Sequence, residues 1–329
     1  MKAANWIVGA AVALGGAALA NHLIAQRNEA RHPPRGRFLT VDGVRLHFME
    51  RGASHGGPTV VLLHGNGAMA EDFALSGILD ELGQTHHVIA FDRPGFGYSD
   101  RPRAHIWTAA NQARLLRRAL RRMGIQRSVL AGHSWGTLVA LEMALQRPDQ
   151  VAALVLMSGY FTPTLRMDVP AFSGPAIPVL GDVLRYTISP LIAWAITPLL
   201  FRKIFAPGPV APRFAAHFPT GLALRPSQLR ASAADTALMV PAALATRHRH
   251  GEVRMPVLIL AGAEDRIADV GRQSARLHHD IPGSELRLVP GAGHMIHHAA
   301  PAAVVQAIRD AADRAADRAR DCAAESAAA

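Results

Sequence analysis

Cysteine is almost missing from this chain of 329 residues, which has a single one, Cys322. One cysteine excludes an intramolecular disulfide and a cysteine-rich metal site. Aromatic residues are also sparse, at 5%, and no nucleic-acid-binding motif accompanies the formal net charge of +10. Scattered arginines carry most of that charge, which is typical of solvated faces, with attraction to an anionic membrane surface as the functional alternative. We therefore expect no nucleic-acid partner.

The N-terminal segment lacks charge altogether between Ala3 and Gln26. These 24 residues are enough to cross a bilayer, which takes about 20. Several arginines follow at positions 27–37, and basic flanks stay in the cytoplasm, so we expect residues 1–26 to be a membrane anchor with the remaining chain on the cytoplasmic side. A cleaved signal peptide is the rival, because residues 18–20 (ALA) resemble a cleavage site, and the protein would then be exported. A peripheral or buried helix is the third interpretation.

Beyond a polar linker at 27–37, apolar strands alternate with helices. An Asp42-Gly43 turn predicts a hairpin. The next predicted strands are Thr59–Leu63, His87–Phe91, Ser128–Ala131 and Val151–Met157, and the intervening helices are Ala70–Leu82 and Ala109–Met123. This alternation is typical of a parallel sheet that helices cover on both faces, an α/β class.

The alternation stops between Tyr160 and about Arg249, where prolines separate apolar helical pieces. It returns with strands at Pro256–Ala261 and Ser284–Val289 and a closing helix from Pro301. We therefore expect a core at 38–158, a helical cap at 159–252, a second core part at 253–312 and a frayed, Ala-rich tail at 313–329. The apolar side chains of the cap predict helix packing, or a lipophilic pocket that faces a membrane.

Two stretches match the pattern Gly-x-Ser-x-Gly, around Ser54 and around Ser134. A nucleophilic serine needs a strand before it and a helix after it, joined by a turn so sharp that it requires glycines. Ser134 has that context, because a short apolar run precedes it and good helix formers follow. Ser54 is followed by Gly57-Pro58, so we interpret it as part of a hairpin loop.

The order of these elements, with a serine turn before the helical insertion, resembles the α/β-hydrolase family over roughly residues 38–312. The resemblance rests on five short motifs in the family's order: residues 64–67 (HGNG), 92–100 (DRPGFGYSD), 132–136 (GHSWG), 262–265 (GAED) and 291–294 (GAGH). It implies a catalytic triad in the chain order serine, acid, histidine.

Within this resemblance the triad is Ser134, Asp265 and His294. Asp265 follows a late strand, with Glu264 and Asp269 as alternatives. The other family position for the acid reads Ser158-Gly159, which has no carboxylate. His294 lies in a loop of small residues, with His297 and His298 as close rivals.

The backbone N–H groups of Asn66 and Trp135 would form the oxyanion hole. The resemblance also predicts structural roles for His64 and for the loop at 92–100. No metal site or cofactor is expected.

Asn66 and Trp135 raise a second possibility, since haloalkane dehalogenases of this superfamily hold halide with an asparagine and a tryptophan at such positions. Their nucleophile is aspartate, because attack on an alkyl carbon by aspartate leaves a cleavable ester, whereas attack by serine would leave a stable ether. Ser134 therefore favours acyl chemistry. We expect a membrane-anchored serine hydrolase for a small or lipophilic ester. The alternatives are epoxide, dehalogenase, lactone, C–C bond or perhydrolase chemistry, and a non-catalytic ligand-binding protein.

Overall fold

An eight-stranded sheet forms the centre of the computed structural model, which describes residues 2–328. Its strand order is β1-β2-β4-β3-β5-β6-β7-β8, in which β1, β2 and β4 pair antiparallel and all later pairs are parallel. The strands are β1 (Arg37–Val41), β2 (Val44–Arg51), β3 (Thr59–Leu63), β4 (Val88–Phe91), β5 (Ser128–His133), β6 (Val151–Met157), β7 (Val257–Gly262) and β8 (Glu285–Val289). The expected α/β class with a mostly parallel sheet is confirmed.

Fourteen α-helices surround this sheet within the described residues, together with three short 3-10 turns and one π-helical turn. They are α1 (Lys2–Arg31), α2 (Glu71–Leu75), α3 (Ile78–Leu82), α4 (Ala109–Arg122), α5 (Trp135–Gln146), α6 (Asp168–Phe172), α7 (Leu180–Tyr186), α8 (Ser189–Phe205), α9 (Pro212–His217), α10 (Thr220–Ala223), α11 (Pro226–Thr246), α12 (Arg276–Asp280), α13 (Ile296–Ala299) and α14 (Pro301–Ala328).

The core has two apolar layers, one on each face of the sheet. Every residue of β3, β4, β5, β6 and β7 is buried, as expected for strands covered on both sides. Helices α4, α5 and α12 pack on one face, and α2, α3 and α14 pack on the other. Since the strands are parallel, the loops after β3, β5 and β7 all emerge at one edge, where functional groups of α/β sheets collect.

Helices α6–α11 form the cap and lie between β6 and β7 in the chain, as the interrupted pattern predicts. A separate apolar cluster fastens the cap to the core. It joins Phe205, Phe214 and Phe218 of the cap to Met69 and Met295 of core loops.

Three predicted bounds differ from the structure. The helix expected at 70–82 is two helices, because Gly77 adopts a φ of +87° that a continuing helix cannot hold. Residues 27–31 of the expected linker are the last turns of α1, where Glu29 pairs with Arg225 of the cap. The tail expected to fray continues α14 to Ala328, with Ala315 still buried against the core, and residue 329 lies outside the described residues.

Candidate active site

Ser134 lies between the last residue of β5 and the first residue of α5, with φ +51° and ψ −119°. This left-handed φ is unusual for a residue with a side chain and marks a strained turn. Its flanking glycines are required by close approach, since a Cβ at Gly136 would lie 2.2 Å from the Leu63 carbonyl oxygen and one at Gly132 would lie 2.7 Å from the Gly136 carbonyl oxygen. Ser54 lies in an exposed turn without a helix, as expected.

The structure brings Ser134, His294 and Asp265 into one hydrogen-bonded chain. His294 Nε2 lies 3.0 Å from Ser134 Oγ, and His294 Nδ1 lies 2.8 Å from Asp265 Oδ2. The serine follows β5, the aspartate follows β7, and the histidine follows β8. Three residues that are 160 and 29 positions apart in sequence therefore meet at one edge of the sheet.

The surroundings of Asp265 favour its ionised form at neutral pH. Burial raises the pKa of this carboxyl, but His294 and the backbone N–H groups of Ala268 and Ile267 outweigh burial and hold the pKa below its usual value. Those two N–H groups donate to Oδ1 at 3.0 and 2.8 Å, which leaves Oδ2 for the imidazole. An ionised acceptor at Nδ1 keeps the proton on that nitrogen and leaves Nε2 free to accept the Ser134 proton.

The loop after β3 lies directly against the serine, since a Cβ at Gly65 would come within 3.1 Å of Ser134 Cβ. The side chains of Arg93 and His64 fix the backbone of this loop. Arg93 donates to the carbonyl oxygens of His64 and Gly65 at 2.8 and 3.0 Å, and its own backbone N–H donates to His64 Nε2 at 2.9 Å. His64 Nδ1 therefore carries the proton and donates to the Gly65 oxygen at 2.7 Å.

His64 stays neutral, because burial and the neighbouring Arg93 lower its pKa to about 3. In a trans peptide the N–H points opposite to the preceding carbonyl, so fixing the Gly65 oxygen also fixes the direction of the Asn66 N–H. The other predicted donor, the Trp135 N–H, is the first in α5 and has no acceptor within that helix.

The side chains of Asn66 and Trp135 are both occupied by the cap. Asn66 Nδ2 donates to Ser232 O at 3.1 Å and to Thr236 Oγ1 at 2.9 Å, and Trp135 Nε1 donates to Asp235 O at 2.9 Å. Trp135 is 1% exposed. The side-chain N–H groups of Asn66 and Trp135 therefore hold helix α11 and are not directed at an open halide position.

A buried ionic cluster fixes α11 over the site, and sequence reasoning missed it. Asp235 accepts from Arg93 at 2.6 Å and from Arg101 at 2.9 Å, with the Arg93 and Asp235 side chains both 0% exposed. The Arg93 guanidinium also lies 4.6 Å from the Trp135 ring centroid. The one available sequence signal was that Asp235 is the only acid in α11, which does not identify its partners.

The rivals for the acid and the base lie elsewhere. Glu264 is exposed, and Asp269 accepts from the backbone N–H of Arg272 at 2.8 Å. His297 and His298 both bind Asp72, at 2.9 and 2.7 Å.

Among the described residues, Asp72, His297 and His298 are also one group whose ligand atoms, all within 4.8 Å of one another, could hold a metal ion. Each carboxylate oxygen of Asp72 already accepts a hydrogen bond from one of the two histidines. These two hydrogen bonds account for the cluster without an ion.

A family model for the alpha/beta hydrolase fold matches residues 58–301, which is most of the chain. The chain belongs to the alpha/beta hydrolase fold family. The match spans β3 to the start of α14 and therefore includes the hydrogen-bonded chain around Ser134.

Individual relatives of this alpha/beta hydrolase point to hydrolysis without agreeing on the bond. The uncharacterized hydrolase YugF of Bacillus subtilis is 28% identical, over 83% of this chain and 96% of its own. Haloalkane dehalogenase 2 of Mycobacterium tuberculosis is 26% identical, over 84% and 94%. A bacterial membrane phospholipase A shares the fold over 96% of this chain and 99% of its own, with a TM-score of 0.64 and 23% identity. The family and the first two of these relatives indicate a hydrolase.

Proposed function

We propose that this protein is a serine hydrolase that cleaves an ester-like bond of a small or lipophilic substrate through an acyl-Ser134 intermediate. The observation that carries the proposal is the hydrogen-bonded chain from Ser134 Oγ through His294 to Asp265, at 3.0 and 2.8 Å. A serine hydroxyl is a weak nucleophile at neutral pH and becomes reactive when a base lies within this distance and a third group orients the base.

In the first step Ser134 Oγ attacks the substrate carbonyl carbon while His294 Nε2 takes its proton. Asp265 stabilises the imidazolium that forms. The backbone N–H groups of Asn66 and Trp135 donate hydrogen bonds to the former carbonyl oxygen and stabilise its negative charge. His294 then protonates the leaving alcohol, and the acyl group remains on Ser134. A water molecule, deprotonated by His294, releases the acid and restores the serine.

Dehalogenase and epoxide hydrolase chemistry fit the site less well, although one relative is a haloalkane dehalogenase. Attack of Ser134 on an alkyl carbon would end in an ether that water does not cleave. The side-chain N–H groups of Asn66 and Trp135 are also engaged by α11.

We also propose that α1 anchors the protein in a membrane, with the hydrolase domain on the cytoplasmic side. Val8–Arg31 is long and apolar enough to cross a bilayer. Removal of a signal peptide after Ala20 would cut this helix just before Asn21, which is buried and donates to Tyr186 O and Thr187 O of the cap at 2.8 and 3.0 Å. Asn21 and these contacts would stay with the domain after such a cut, so they fix the second half of α1 to the cap, and the proposed anchor rests on the length and apolar character of the helix.

The test is a fluorophosphonate probe applied to the full chain in detergent, read by intact mass. We expect a single adduct that disappears in Ser134→Ala and persists in Ser54→Ala, the matched control from the second Gly-x-Ser-x-Gly match. A series of esters of increasing chain length then defines the substrate. A folded protein that forms no adduct would refute the acyl-enzyme mechanism and favour a ligand-binding role.

A further inference from the structure

Exposed apolar side chains are concentrated in two segments of the chain. Of the 24 large apolar side chains that are exposed among the described residues, seven lie on α1, 13 lie in residues 165–200 of the cap, and four lie elsewhere. Thirteen such side chains within 36 consecutive residues are a concentration, whereas a soluble monomer usually exposes large apolar side chains singly. A concentration of this kind calls for an apolar partner.

Helix α8 is the clearest part of this surface, because it turns its apolar side away from the protein. Leu191 and Trp194, three positions apart, are 63% and 73% exposed on one face, and Leu199, eight positions after Leu191 and 65% exposed, lies at the edge of the same side. The same face ends in exposed Arg202 and Lys203. Apolar side chains followed by cations match the interface of an anionic bilayer, where the chains enter the lipid and the cations meet the headgroups.

The length of α1 places this surface at the membrane. Every α1 residue before Ala17 whose side chain is described is exposed, and at 1.5 Å per residue the 15 residues 2–16 cover about 22 Å. The hydrocarbon core is about 30 Å thick and takes about 20 helical residues, so an anchoring α1 needs about five more residues, 17–21, inside it as well. Within that stretch Ala17 and Ala18 are half-buried and Asn21 donates to the cap, while Leu19 remains exposed. The cap elements beside them must therefore reach the bilayer.

Those elements are α7 and α8. They meet at a bend of 63°, and the Asn21 side chain donates to the two carbonyl groups at this bend, Tyr186 O and Thr187 O. Further along α1, Glu29 pairs with Arg225, and Gly221 leaves room for Asn28. The anchor and the cap therefore form one unit, and the depth of α1 sets the depth of α8.

We propose that the outer face of α7 and α8 is immersed in the cytoplasmic interface of the bilayer that α1 spans, so that the cap is a second, monotopic membrane contact. This inference rests on the proposed anchor and deepens the proposed function. A cap in contact with lipid receives substrates from the bilayer, which favours esters with long acyl chains over water-soluble ones.

Tryptophan fluorescence tests the contact directly, because Trp107 and Trp135 are buried whereas Trp6 and Trp194 are 80% and 73% exposed. The full chain is reconstituted into vesicles of phosphatidylcholine and phosphatidylglycerol, with or without bromine on the acyl chains. The Trp6→Phe variant leaves Trp194 as the one strongly exposed tryptophan of the described residues. We expect brominated lipid to quench its emission, relative to the Trp6→Phe/Trp194→Phe control.

The reciprocal variant separates the two proposals. Suppose that Trp6 is quenched in Trp194→Phe, while Trp194 is not quenched in Trp6→Phe. The anchor then stands and the contact between the cap and the lipid is refuted. A second copy of the chain that covers α8 would give this same result. If neither tryptophan is quenched, both are refuted. Fluorophosphonate labelling of the same vesicles reports the serine chemistry independently.

A functional arm uses Leu199→Glu, with Leu288→Glu as the matched control, since Leu288 is 47% exposed and lies on β8. We expect Leu199→Glu to reduce turnover of a long-chain ester embedded in vesicles and to leave turnover of a short soluble ester unchanged. An equal loss for both substrates, or an equal loss in Leu288→Glu, would contradict a lipid contact at α8.

Discussion

The buried Arg93–Asp235–Arg101 cluster offers a sharp test of how the cap is held, through Asp235→Asn. The substitution keeps the shape of the side chain and removes its charge. Burial lowers the pKa of Arg93 and Asp235 opposes this, yet a guanidinium does not lose its proton in a protein. The variant therefore leaves a buried cation without its counter-ion.

Breaking a buried ion pair by removing one partner costs about 3–5 kcal/mol. The unfolding entropy is about 2.1 cal/mol/K per residue, so a domain of roughly 290 residues has an entropy near 0.6 kcal/mol/K. Dividing the free-energy cost by this entropy predicts a fall in Tm of about 5–8 °C. Helix α11 carries Asp235 and contacts α5, so we expect the cap to loosen before the sheet does.

The matched control is Asp182→Asn, since Asp182 also binds two arginines, Arg103 and Arg185, but its side chain is 34% exposed. Solvent screens this carboxylate, so its loss should cost no more than about 1 kcal/mol and lower Tm by less than about 2 °C. Differential scanning calorimetry of the detergent-solubilised chain measures both variants. Equal shifts would refute the reasoning that burial makes Asp235 the stronger support.

Two further predictions concern the carboxylates near the site. Asp265→Asn should lower kcat on an ester by roughly ten-thousandfold, because an amide no longer fixes the proton on His294 Nδ1. The Tm, measured in parallel, should change little. A loss of kcat below tenfold would contradict the triad. Asp72 is fully buried, and although burial raises its pKa, His297 and His298 outweigh this and hold the pKa well below 3.8. Its ionised form therefore adds stability above about pH 4, and that stability is lost as pH falls through the folded pKa. The free energy of unfolding, measured from pH 7 downward, should fall less steeply in Asp72→Asn than in the wild type. An equally steep fall in both would contradict a contribution from the Asp72 carboxylate.

Local sequence patterns were enough to predict much of the sheet. Val151–Met157 is a strand with the predicted bounds. A short, continuous apolar run between turn signals is typical of a strand that is buried on both faces of a parallel sheet. The sharp turn at Ser134 was also predictable, since Gly132 is needed for a backbone contact with Gly136 inside one strand–turn–helix unit, although the contact that requires Gly136 is with β3. The interruption between β6 and β7 was visible as a loss of alternation.

Contacts between distant segments were beyond the reach of the sequence. The resemblance to a family named Asp265 and His294, but only the folded sheet brings them to Ser134, as the loops after β5, β7 and β8 meet at one edge. Nothing local marks Asp235 as the partner of Arg93, 142 positions away, or Asn21 as the support for the bend between α7 and α8. Periodicity reports which side of an element is apolar, whereas the choice of partner depends on the packing of the whole chain. The sequence alone therefore determined most elements and the candidate serine, and the tertiary structure decided what lies beside that serine and what fixes the cap above it.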